Sequence, residues 1–173
     1  MQVTPETGWA ARAARWHPAA AAAAFFPVHF AATAIGNELL VATPSAAAFW
    51  PASGTLIAAL LLFPRRAWPW LFASGFLAEY SAYTGLQHVY PARTAALIGL
   101  VNIGQNLLAA ELVGRWIGPR IDFAAVVPTA RLVLLLLIAT FFGGFGGAAV
   151  LVWSGTAPDF WNKQSLEKEL ERI

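Results

Sequence analysis

Residues 129–153 run for 25 positions with a single charged side chain, Arg131. A stretch so long and so apolar is hard to hide in a water-soluble fold of 173 residues, which would lack the surface to cover it. It matches instead the roughly 20 residues of helix that cross a hydrocarbon layer about 30 Å thick. The rest of the chain agrees, being 58% hydrophobic and 12% charged, where a soluble domain carries about a quarter charged residues. The solvent this chain is built for is a membrane.

Four further apolar runs, at 18–41, 45–63, 67–85 and 92–114, join 129–153 to predict an all-α, polytopic membrane helix bundle of about five transmembrane helices. A polar segment, 1–17, precedes the membrane domain, 18–161, and a charged segment, 162–173, follows it. A cleaved signal sequence is the competing reading of the first run, but Pro27, His29 and Glu38 interrupt it.

Orientation follows from the arginines. Arg12, Arg15, Arg65, Arg66, Arg115, Arg120 and Arg131 fall at one side of the expected spans, and the opposite connections hold only His88 and Arg93. The first side is read as cytoplasmic, with the N-terminus inside. Trp50, Trp68, Trp70, Trp116 and Trp153 fall near the expected interfaces, where amphipathic rings settle.

Several function classes drop out. A net charge of +2 with no basic run gives no footprint for nucleic acid. Without cysteine there is no disulfide, thiolate chemistry or cysteine metal site. No nucleophile triad, phosphate-binding glycine loop or HExxH occurs, so no enzyme activity, cofactor or metal is expected of these residues.

The polar residues inside the spans carry what functional signal there is. FWPASG, 49–54, opens the second run with a proline, a serine and a glycine. Proline suits the first position of a helix, because the N–H it lacks would be unpaired there anyway. The segment is either a helix from about Ser45 kinked at Pro51, or irregular backbone before a short helix, tolerated only where protein or water shields it. Glu38 and Glu79 lie in the outer thirds of the first and third runs, where a carboxylate costs several kcal/mol unless paired, protonated or hydrated. Asn102, Gln105 and Asn106 share one stripe of the fourth run. Matching depths predict one ligand-binding pocket that gathers Glu38, Trp50, Ser53 and Glu79 over a floor of Asn102 and Gln105. The plain alternatives are a simple kink and ordinary interhelical hydrogen bonds. His29 reads as a hydrogen-bonded core histidine, and Glu111 as a partner of Arg115 one turn on. Gly143 and Gly147 make a small-xxx-small pair, serving close packing within the chain or a homodimer contact.

The stretch FWPASGTLIAALLLFPRRAWPWLFASGFLAE, with its Trp-Pro-x-Ser-Gly element, basic aromatic turn and small-polar end, resembles the membrane-associated sensor family of bacteria (MASE, type one). NIGQN and FFGGFGGAAVLVW fit the same family, so that the resemblance covers about 28–161. It implies a multi-pass sensory input domain of the bacterial inner membrane, joined to a cytoplasmic histidine kinase, diguanylate cyclase or phosphodiesterase. Members of the family have more spans, in an even number that returns the chain to the cytoplasm. The last residues, KQSLEKELERI, hold six of the chain's twenty charges, with Leu166, Leu170 and Ile173 spaced four and then three, the seam of a short coiled coil. That segment reads as a helical tail or a junction to an output domain, the chain then being a fragment or missing a crossing. A transporter or substrate-binding membrane subunit, and a membrane anchor that dimerises another domain, are the alternative functions.

Overall fold

The computed structural model describes residues 15–42, 50–86, 89–118 and 124–155, with the side chains of 40–42 excepted. These residues form α1 (Pro18–Ala42), α2 (Pro51–Leu62), a 3₁₀ turn (Arg65–Ala67), α3 (Trp68–Ser81) continued by a π-helical turn (Ala82–Leu86), α4 (Ala92–Trp116) and α5 (Val126–Trp153). No strand occurs among the described residues. α4, α5 and the Pro18–Leu39 part of α1 are long and apolar enough to cross a membrane. The heptad of the C-terminal segment, Arg12, Arg120, His88 and Phe49 lie outside the described residues.

α2 settles the backbone at Pro51. Trp50 is extended, with φ −118° and ψ 91°, and the helix begins at Pro51. The helix therefore does not run through Trp50, and residues 45–49 of the expected kinked helix lie outside the described residues. At 12 residues α2 is about 18 Å long, short of the hydrocarbon thickness. Its partner α3 is 14 residues, and the π-helical turn carries the chain on in the same direction to Leu86.

The order of the layers follows from what each helix face carries. At one end Phe25, Leu56, Leu60, Leu71 and Ala110 form an apolar cluster, with Phe63 and Trp68 packed against it. At the other, Tyr83, Ala95 and Ile98 pack with Trp50, Tyr90 and Leu151. Small residues let α1 and α3 approach: Ala21, Ala22 and Ala32 on one, Gly75 and Ala78 on the other, are all buried. Ser74 donates to the Ala22 carbonyl at 2.8 Å, in the part of α1 where Pro27 removes a helical hydrogen bond.

The arginines gather at the first of these ends. Arg65 meets Glu111 with its guanidinium Nη1 2.6 Å from the carboxylate, and Arg115 lies 3.8 Å from it. Glu111 thus ties the turn between α2 and α3 to α4, a partner the i, i+4 spacing alone does not reveal. Trp16 packs edge-on against Phe63, placing Arg15 at the same end. Arg93 is at the opposite end, over the ring of Trp153.

Candidate functional site: a buried polar layer beside an uncharged cavity

Between the two apolar clusters lies a layer of polar side chains drawn from four helices. His29 and Glu79 are both fully buried, and His29 Nε2 is 3.3 Å from Glu79 Oε1. His29 Nδ1 is 2.8 Å from the Thr55 hydroxyl, and that hydroxyl gives its only proton to the Ala52 carbonyl at 2.8 Å. Thr55 must therefore accept, so Nδ1 carries a hydrogen. Glu79 Oε2 accepts from Asn102 Nδ2 at 3.0 Å, and the second Nδ2 hydrogen goes to the Tyr83 hydroxyl at 3.1 Å.

This arrangement fixes the proton count. A hydrogen bond between His29 Nε2 and Glu79 Oε1 needs one proton, held either as imidazolium beside carboxylate or as imidazole beside carboxylic acid. Neither form leaves a lone buried charge, which is the condition for such groups to persist within a membrane bundle. Thr55, His29, Glu79, Asn102 and Tyr83 so form one hydrogen-bonded chain linking α2, α1, α3, α4 and the π-helical turn.

Tyr83 and Asn102 also face a cavity of about 400 Å³. Trp50, Ser53 and Gln105 line it with them, closed on the far side by the glycine-rich face of α5. Trp50 lies flat on α1: a Cβ at Gly36 would come within 3.0 Å of the indole. Its Nε1 hydrogen is buried without a partner among the described residues. Tyr90 closes one end of the cavity, its ring edge-on to Tyr83, and burial raises its pKa and keeps it a neutral hydroxyl. On α5, Gly143 is where Gln105 seats; a Cβ there would collide with the Gln105 amide.

Of the residues expected to share a pocket, Trp50, Ser53, Asn102 and Gln105 line this cavity, and Glu79 stands directly behind Asn102. Glu38 does not join them. It is exposed on α1 and absent from the lining, a correction to the depth-based grouping. It is nine residues from His29, about two and a half helical turns, and so faces away from the side of α1 that packs inward. Asn106 is fully buried with neither amide atom partnered among the described residues, and it too is outside the lining.

His29, Thr55, Tyr83 and Tyr90 are the residues the sequence reading leaves out of the site. One signal for the central pair was present: His29 and Glu79 each stand eleven residues beyond the start of helices that begin at the arginine end. Among the described residues no group of three or more metal-ligating side chains comes together.

No curated protein and no solved structure matches the chain. The family model of MASE1 matches residues 19–163, taking in α2 to α5 whole and all but the first residue of α1. The chain belongs to MASE1, a family of membrane-associated sensor domains.

Proposed function

We propose that this chain is the membrane input module of a bacterial signalling protein, in which a small molecule entering the cavity changes how the helices pack and so controls a cytoplasmic histidine kinase or cyclic-di-GMP enzyme. The observation that carries the reading is the continuity of the cavity with the buried chain of hydrogen bonds. Asn102 belongs to both, through its place in the lining and its bond to Glu79. A ligand that competes for Asn102 disturbs Glu79, and through it His29 on α1, without touching either. The N-terminus and the arginine end lie in the cytoplasm of this arrangement, the cavity end faces outward, and the chain itself performs no chemistry.

The test is output. With the chain joined to its catalytic output domain in the inner membrane, Glu79→Gln shifts basal activity or abolishes the response while insertion is unchanged, and Glu38→Gln does neither. If every such substitution leaves output untouched, the chain is an anchor and not an input.

A further inference from the structure

We infer that the cavity takes a neutral, planar carbonyl compound dissolved in the membrane, of the quinone class. The inference rests on the cavity being the stimulus site, and it goes further in naming what enters.

Charge is the first constraint. No charged side chain lines the cavity among the described residues, so an ionic ligand would meet no counter-charge in a site of low dielectric. Shape is the second. Gly143, Gly144 and Gly147 make part of one wall out of bare helix backbone, while the other elements bring the rings of Trp50, Tyr83 and Tyr90. A slot between backbone and aromatic faces suits a flat ring, which stacks on such surfaces. Hydrogen bonding is the third. Gln105 and Ser53 bring side chains that can donate from separate points of the lining. Quinone carbonyls are acceptors at opposite ends of a ring, and they answer donors placed apart in this way. Asn102 spends both amide hydrogens within the buried chain, so a carbonyl that takes one of them does so at the expense of Glu79 or Tyr83. Access is the fourth. Gly144 and Ala148 on the α5 wall are exposed, so the slot opens at the surface of the described bundle beside α5. A prenyl tail can leave through that opening while the ring enters.

The experiment uses the chain in lipid nanodiscs with decylubiquinone as probe and tryptophan quenching as readout. Wild type gives saturable quenching that decanol, with its alkyl chain but no ring, does not displace. Gly147→Leu weakens it at least tenfold. A Cβ at Gly147 meets nothing within 4 Å, so the new side chain starts from open space beside the slot, and circular dichroism checks that the variant folds. Quenching that rises linearly with probe, yields to decanol, or is the same in Gly147→Leu overturns the assignment. Output from the signalling protein separates the two levels. If Gly147→Leu blocks the response but wild type shows no saturable quinone binding, the quinone is wrong and the stimulus site stands. If Gly147→Leu responds normally, the stimulus site falls and the quinone with it.

Discussion

Removing the Glu79 carboxylate as leucine would leave His29 Nε2 and one hydrogen of Asn102 Nδ2 facing a dry interior. Breaking one side of a buried, hydrogen-bonded pair costs about 3–5 kcal/mol, and Glu79→Leu should destabilise the bundle by that order in a reversible denaturation in micelles. Glu79→Gln keeps a group of the same shape that can both accept from Asn102 and donate to a neutral His29, so its cost should be nearer about 1 kcal/mol. Glu38→Gln, at an exposed position, should stay within about 0.5 kcal/mol. Equal losses at the two glutamates would contradict the placement of Glu79 at the centre of the network. The contrast also shows what was legible. Depth along each helix could be read from the sequence, and Trp50, Ser53, Asn102 and Gln105, which it groups, line one cavity. Which way a side chain faces around the helix was not read for Glu38, although the 3.6-residue period contains it. The buried positions His29, Thr33 and Asn37 recur every four residues along α1, and Glu38 is one step off that stripe.

At the scale of elements, the α4–α5 seam depends on where side chains are missing. Gln105 and Val101 on α4 sit against Gly143 and Gly146 on the antiparallel α5. Gly143→Ala forces the Gln105 side chain out of its seat, and overpacking of this kind costs about 1–3 kcal/mol. Gly144→Ala meets nothing within 4 Å, and the higher helix propensity of alanine makes it neutral or slightly stabilising. Thermal unfolding of the two variants side by side checks the contrast, and a greater loss in Gly144→Ala would contradict it. The sequence pairs Gly143 with Gly147 by spacing alone, whereas the tight contacts fall at Gly143 and Gly146 and leave Gly147 to the cavity. Glycines mark a helix that can be approached closely but do not say which of their faces is. Similarly, FWPASG leaves open whether a helix runs through Pro51 or starts there; it starts there, and Trp50 turns inward onto Gly36 rather than outward to the interface.

For the whole molecule, the arginine end and the cavity end should lie on opposite sides of the membrane. The chain has no cysteine, so single cysteines report cleanly: at Arg66 an impermeant thiol reagent should react from the cytoplasmic side, and at Thr43 from the outside. The reverse pattern would invert the assignment, because it would place the basic residues on the translocated side. The central claim is that one buried network sets the packing of α5, the described helix that does not carry it, against the others. The direct measurement is the distance between spin labels on Ile35→Cys in α1 and Phe145→Cys in α5, both exposed positions, by pulsed electron paramagnetic resonance in nanodiscs. Glu79→Gln should displace the distance distribution from that of the otherwise unaltered labelled chain, and Glu38→Gln should leave it in place. Superimposable distributions for all three would contradict the account and leave a static membrane anchor.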